Sequence, residues 1–295
     1  FLFLTTGNFN YVEQFELFKA ANIEKIKVIV IYKEGFGVKK SVLSNFFEKY
    51  SNFNFIIDHI TFTNNLIKET AINKINVIDF TNSKVVGLPR MEVYNRKENN
   101  NGFKILYSAY PVDKIGFLNK NNFSNDDIKL IIYKIEIMHM FFLKYAKERQ
   151  SINFIIKTKR HFKYVDYVKK IQRKYFKDFI FKNVKITSKG ESGLLSASDT
   201  LVTWASTTAL EGLYCNKKVI LPKINDKIDH EFNLIYSNKK EKDELNNFYE
   251  YSSYTDFVRV MDEKHINGQN NINETLKEII PNFDQNFKYN LEDIF

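Results

Sequence analysis

The chain has 295 residues, a hydrophobic fraction of 44% and a formal net charge of +9. That length exceeds the usual single domain, so two domains are expected. The charge suggests an anionic partner, whether nucleic acid, a phosphorylated ligand or an acidic membrane surface. The lysines are dispersed, however, and the wealth of Lys, Asn, Ile, Phe and Tyr reads as an AT-rich coding bias. One cysteine, Cys215, excludes an intramolecular disulfide and fits a reducing cytoplasm. No apolar run reaches the length of a membrane span, and no signal peptide is evident. The chain opens on FLFLTTGNF without an initiator Met, and a missing upstream segment is expected.

In chain order, KIKVIVIY (25–32) reads as a strand, followed by the turn KEGFG and a short helix over 40–50. NFNFII (52–57) and HITFTN (59–64) read as further strands, with a helix near Leu66–Ile72. NRKENNNG (95–102) is polar, Asn-rich and ends in Gly, so a domain boundary is placed at 98/99. A regular alternation follows. Strands are expected at 103–109, 152–159, 184–188, 200–204 and 217–222, with helices at 126–147, 162–176, 190–198 and 206–215. Ser124 caps the first of these helices, with Asp126 and Asp127 in its first turn. The C-terminal region is expected to be mostly helical. Short strands separated by helices predict βαβ units and parallel sheets.

In such a fold, ligands sit at the carboxyl ends of strands against helix starts. Three places qualify. In TWASTTALEG (203–212) a strand ends at Trp204, and Ser206, Thr207 and Thr208 offer hydroxyls and helix-start amides to an anion. Glu211 is placed to accept hydrogen bonds from a ribose diol. Thr208-x-x-Glu211 also matches a capping box that needs no ligand, and Trp204 either packs beneath the site or leans on the ligand. In IIKTKRHFKY (155–164), Lys157, Lys159, Arg160 and His161 cluster at a second strand end; they are either cations for a leaving phosphate or a basic surface turn. In YKEGFG (32–37), Glu34 is a candidate general base and Gly35 permits close approach of a ligand, unless this is only an exposed turn. His230 is an outlying candidate after the VILP strand. His139 falls on the apolar face of a helix and reads as a packed residue. No metal spacing, Walker loop, G-x-G-x-x-G or nucleophile elbow is present, so neither a metal nor a cofactor is expected.

SASDTLVTWASTTALEGLYCNKKVILP (196–222) resembles the donor-nucleotide half of GT-B glycosyltransferases. It is most similar to those of bacterial surface-carbohydrate synthesis: sialyltransferases, capsule transferases and CDP-glycerol glycerophosphotransferases. The resemblance implies that Ser206, Thr207 and Thr208 bind donor phosphate and that Glu211 binds ribose. KVVGLPRMEVYN (84–95) resembles the segment joining the two domains of these enzymes, with Glu92 where Asp is common. FIIKTKRH resembles their strand end before a His-Pro pair. Thr158 and Lys159 depart from that pair here, leaving Lys157 and Lys159 as the residues carried over. YKEGFG resembles the motif that supplies the catalytic base, with Lys33 in place of the first acid and Glu34 at the base position.

The expected fold is therefore α/β and GT-B-like, with two Rossmann-type parallel-sheet domains and a short or truncated N-terminal one. Residues 1–98 would form an acceptor-side domain with linker, and 99–295 a nucleotide-donor-binding domain with terminal helices. The implied activity is metal-independent transfer from a nucleotide-activated sugar or CDP-polyol to a glycan or lipid-linked acceptor in surface polysaccharide synthesis. The expected setting is the cytoplasm, with a peripheral contact at the inner face of the cell membrane and no nucleic acid partner. The competing readings are a non-catalytic nucleotide-sugar-binding or scaffold protein and a GT-B-shaped sugar-nucleotide epimerase.

Overall fold

Runs of apolar residues too short for helices, such as FIIK and TLVT, form strands buried on both faces in a computed structural model of the chain. The structure describes residues 2–7, 12–32, 43–44, 47–48, 51–52, 54–87, 104–109, 123–189, 193–232, 242–243 and 245–264. Two compact units are present, one built on each of two sheets. The segment 88–103, with the expected boundary at 98/99, lies outside the described residues.

The first unit holds strands β1 (Leu2–Gly7), β2 (Lys27–Tyr32), β3 (His59–Phe62) and β4 (Ser83–Val85). They pair in the order β1-β2-β3-β4, all parallel. Helix α1 (Val12–Ile23) links the first two strands, and α2 (Asn65–Ile72) precedes β4. Asn64 caps α2 by accepting the Ile67 N–H at 2.8 Å. Val28, Val30, Ile60 and Phe62 from the strands meet Phe18, Phe47, Phe55 and Ile67 in one core.

One expectation fails in this unit, and two elements go unanticipated. β1 and α1 are absent from the sequence reading. The apolar residues of α1 do not keep to one face: Leu17 and Ile23 are exposed while Phe18 and Ala21 are buried, so no helical stripe marks it. Residues 54–57 are not a strand. Their alternation is real, since Phe55 and Ile57 are buried and Ile56 is 65% exposed. Yet the Ile56 backbone bonds the Asn22 side chain, N–H to Oδ1 at 2.5 Å and carbonyl to Nδ2 at 3.0 Å, instead of a neighbouring strand. Of the helix expected over 40–50, the described residues 43–44 and 47–48 are helical.

The second unit contains β5 (Ile105–Ser108), α3 (Asn125–Glu148), β6 (Phe154–Lys157), α4 (Phe162–Phe176) and β7 (Val184–Thr187). After these come β8 (Thr200–Thr203), α5 (Thr208–Tyr214), β9 (Lys218–Pro222), α6 (Asp226–Phe232), β10 (Phe248–Tyr251) and α7 (Tyr254–Asp262). The sheet order is β10-β9-β8-β5-β6-β7, all parallel. Counted from the β7 edge, the six strands run third, second, first, fourth, fifth, sixth, which is the doubly wound order of a Rossmann sheet.

The Ser124 cap of α3 is present as a full capping box with Asp127. Asp127 also pairs with Lys227 of α6 at 2.6 Å, and its carboxyl lies below the usual range because Lys227 and Ser124 donate to it. Inside α3, Ile131, Ile135, Met138 and Phe142 cover the sheet, and the Phe142 ring lies 4.8 Å from that of Tyr107 and 5.6 Å from that of Phe154. Cys215 is half-buried and its thiol is pushed up to about 12 by burial, so it is inert.

The helix expected over 190–198 is a turn across the described residues 193–197. Gly193 has a φ of 97°, which breaks a helix at that point. The C-terminal region is mostly helical over its described residues, as expected, with α6 and α7, but β10 adds an unanticipated sixth strand before α7. Lys218, almost fully buried, sends its Nζ to the carbonyls of Met261 and Glu263 at the end of α7. That positive group on a helix C-terminus ties α7 to β9.

Candidate functional site

Strand order reverses between β5 and β8, the first and fourth strands of the six. In doubly wound sheets the crevice outside the carboxyl ends at such a reversal is where ligands bind. Ser108 and Thr203 are register partners there, each the last residue of its strand. The turn anticipated as a phosphate site, residues 203–208, leaves from this point.

The turn is built from the strand outward. Trp204 is 3% exposed and belongs to the core of the unit, so it packs beneath the turn. Ala205 has a φ of 47°, a left-handed conformation that costs a non-glycine residue on the order of 1 kcal/mol and turns the chain away from the sheet. Ser206 Oγ accepts the Thr208 N–H at 3.3 Å and donates to Thr208 Oγ1 at 3.0 Å. Its carbonyl accepts the Ala209 N–H at 3.0 Å. Thr207 is the N-cap and makes no side-chain cap.

The capping-box register anticipated for Thr208 and Glu211 is therefore displaced. Thr208 is the first helical residue, and the Glu211 N–H bonds the Thr207 carbonyl at 3.2 Å. Ser206 takes the capping role through its hydroxyl. Glu211 is buried, on the same helix as Gly212. A Cβ on Gly212 would stand 2.7 Å from Leu201 Cδ2 and 2.9 Å from Val219 Cγ2, so α5 sits against β8 and β9 at a distance only glycine permits. The sequence reading did not single out Gly212; its place one turn into a helix after a buried strand was the available signal.

β6 is the other neighbour of β5, so its carboxyl end lies roughly 10 Å from that of β8, two strand spacings away. Lys157 ends β6, and its Nζ donates to the carbonyls of Thr158 at 2.5 Å and Ser188 at 3.5 Å. It thereby holds the ends of β6 and β7 together. Thr158 is buried and extends the ladder, its N–H to the Thr187 carbonyl at 2.8 Å. Lys159 is exposed at this edge. His161 is the N-cap of α4, with Nδ1 accepting the Lys163 N–H at 3.2 Å and its ring stacked on Phe162. A capping role is thus what the structure shows for His161.

Glu34 and Gly35 lie outside the described residues, as do Glu92 and the Leu88–Arg90 part of the joining segment. Tyr32, at the carboxyl end of β2, is the last described residue before Glu34. His230 lies on α6, and its side chain is outside the described set. Asp229, not singled out in the sequence, follows β9 on the same carboxyl edge of the second sheet. Both its carboxylate oxygens accept the Ile224 N–H at 3.1 Å, and burial pushes it up to about 6. His139 reads as expected, as a packed residue: it is buried, with Nδ1 2.7 Å from the Ile135 carbonyl and 3.0 Å from Tyr107 Oη. Among the described residues no group of three or more His, Cys, Asp or Glu side chains is placed to hold a metal ion, and no helix is long and apolar enough to cross a membrane.

No family model matches the chain, and no curated protein matches it. Solved structures do. The fold is similar to that of MnaA from S. aureus, solved with UDP, at 12% identity and a TM-score of 0.52 over 99% of this chain and 72% of that one. It is similar to UDP-GlcNAc 2-epimerase from Neisseria meningitidis, bound to UDP-GlcNAc, at 15% identity and a TM-score of 0.50 over 99% and 75% of the two chains. It is also similar to the wall teichoic acid polymerase TagF, at 12% identity and a TM-score of 0.50 over 92% and 67%. At these identities the likeness is one of fold, and the fold class is the one expected: α/β, GT-B-like, with two parallel sheets.

Proposed function

We propose that the chain is a GT-B-like transferase whose second unit binds a nucleotide-activated sugar or polyol. The observation that carries this is the placement of the Ser206 turn at the strand-order reversal of a Rossmann-ordered sheet. Three structures of similar fold support it: two were solved with UDP or UDP-GlcNAc, and the third is a wall teichoic acid polymerase.

In this reading the donor diphosphate lies against residues 206–208 with Lys159 facing it, and Glu211 takes the ribose. Lys157 acts mainly by fixing the strand end that presents Lys159. Glu34 deprotonates the acceptor hydroxyl, whose oxygen forms the new bond as the donor's bond to the nucleotide breaks. The nucleotide leaves with the electron pair, its charge met by lysine and by backbone dipoles rather than by a metal. The acceptor is a glycan or lipid-linked saccharide of the cell surface.

One observation favours a second reading, sugar-nucleotide epimerisation: a structure of similar fold is a UDP-GlcNAc 2-epimerase. The Glu34→Gln variant tests the transferase reading. It should retain the thermal stabilisation given by the donor nucleotide and lose turnover to acceptor. Undiminished transfer by this variant overturns the assignment of the base, and isomerisation of the donor without an acceptor selects the epimerase.

A further inference from the structure

The chain's net charge of +9 is not spread evenly. Residues 159–189 hold eleven lysines and arginines against two aspartates, Asp166 and Asp178, so this one segment carries a local excess as large as that of the whole chain. It forms the strand-end turn, helix α4 and the edge strand β7.

Helix α4 buries Val168 and Ile171 toward the sheet. On a 3.6-residue period its opposite side carries Phe162, Asp166, Lys169, Lys170 and Arg173, and the four other than Phe162 are exposed polar groups. Phe162, at the first position of the helix, is 71% exposed. Ile180, just past the far end, is 77% exposed. The helix between them is 15 residues, about 22 Å long. Phe162 thus stands in water at the start of a band of cations on the exposed face of the helix, and Ile180 stands in water four residues past its end.

We propose that this face of α4 docks on an anionic lipid bilayer, with Phe162 and Ile180 entering the headgroup region and Lys169, Lys170 and Arg173 meeting the lipid charge. The proposal stands apart from the donor reading and does not depend on it. An exposed band on one helix face, outside any groove, suits a planar charged surface better than a single polyanionic strand, which binds along a groove. Exposed apolar anchors add burial that a soluble polyanion does not offer. Basic residues near an anionic leaflet each strengthen binding severalfold, and salt weakens it. Lysines on the edge strand, such as Lys185, also deter strand addition, so the test concentrates on the helix.

The test is co-sedimentation of the full chain with vesicles of phosphatidylcholine alone and of equimolar phosphatidylcholine and phosphatidylglycerol. Binding is expected only to the second, falling with added salt. The triple variant Lys169→Glu, Lys170→Glu, Arg173→Glu should bind at least about a hundredfold more weakly. Phe162→Ser should weaken binding about tenfold while leaving the salt dependence unchanged. Reversal of three exposed lysines elsewhere, Lys27, Lys104 and Lys129, should have a much smaller effect, and circular dichroism should show every variant folded. Equal binding to both vesicle types, or equal losses in the α4 and control variants, overturns the proposal. So does tight, salt-sensitive binding to an oligonucleotide with none to vesicles, which would assign the face to a soluble polyanion.

Discussion

Thr203 Oγ1 donates to the carbonyl of Ser108 at 3.4 Å, joining the last residues of two parallel strands whose chains then part. Ser108 sits on the strand that begins the sheet, and Thr203 on the one that restarts it on the other side. This hydrogen bond closes the floor of the strand-order reversal, and the turn that starts one residue later carries Ser206. Loss of the Thr203 hydroxyl in Thr203→Val removes a part-buried hydrogen bond and takes one donor from the Ser108 carbonyl. Stability should fall by about 1–2 kcal/mol, read as a shift in the urea midpoint. An unchanged midpoint would mean that the strand ends are held without it.

Gly212 brings helix α5 close against β8 and β9. Gly212→Ala places a methyl group within 3 Å of Leu201 and Val219, both buried side chains. Helix propensity favours alanine by about 1 kcal/mol, but overpacking costs about 1–3 kcal/mol. A net loss of stability is expected, larger for Gly212→Val, with α5 displaced and nucleotide affinity reduced together. A more stable Gly212→Ala protein would show that α5 moves outward freely.

Lys218 reaches two carbonyls at the end of α7 from inside the core. Lys218→Met keeps the apolar stem and removes the donor, so α7 should lose its tie to β9. The expected result is a loss of about 1–3 kcal/mol with faster amide exchange in residues 254–262 than elsewhere. Uniform exchange across the unit would contradict a local role.

Acid should act on the buried His139 and the half-buried Asp229 with opposite signs. Burial holds the His139 imidazole down to about 4 from an ordinary 6.5. Between those values the unfolded chain binds a proton that the native state does not, so this group lowers stability as pH falls from about 6.5 to 4, by roughly 3 kcal/mol in total. Burial raises Asp229 to about 6 from an ordinary 3.8, so the native state is the better proton acceptor and stability falls as pH rises through about 6. His139→Leu should flatten the acid limb of a stability–pH curve, and Asp229→Asn should gain stability over the parent above about pH 6. The slopes, rather than the absolute levels, are the readout, since both changes also alter packing. Slopes identical to the parent's would show that neither group titrates as its burial requires.

The second sheet was largely legible because its strands are apolar runs between amphipathic helices. Ser124, the α3 stripe and the 162–176 helix fall where periodicity and capping place them. β10 was missed because FYEY at the sheet edge has one fully buried residue, Tyr251, and no apolar run. The apparent strand at 52–57 shows the converse: alternation reports burial on one side, not a hydrogen-bonding partner, and Asn22 supplied the partner instead. At the site, the place of the Ser206 turn was readable, but its hydrogen bonds were not. The helix starts one residue earlier than a capping box at Thr208 requires, and the left-handed Ala205 backbone that leads into the turn has no signature in the sequence.

The most direct measurement of the central claim is calorimetric titration of the chain with CMP, CDP, UDP and GDP, repeated on Ser206→Ala. One of the nucleoside diphosphates should bind and raise the melting temperature, and the serine variant should bind it about tenfold more weakly while remaining folded. Failure of every nucleotide to bind, or equal affinity in the variant, would contradict a donor site at the β8–α5 turn.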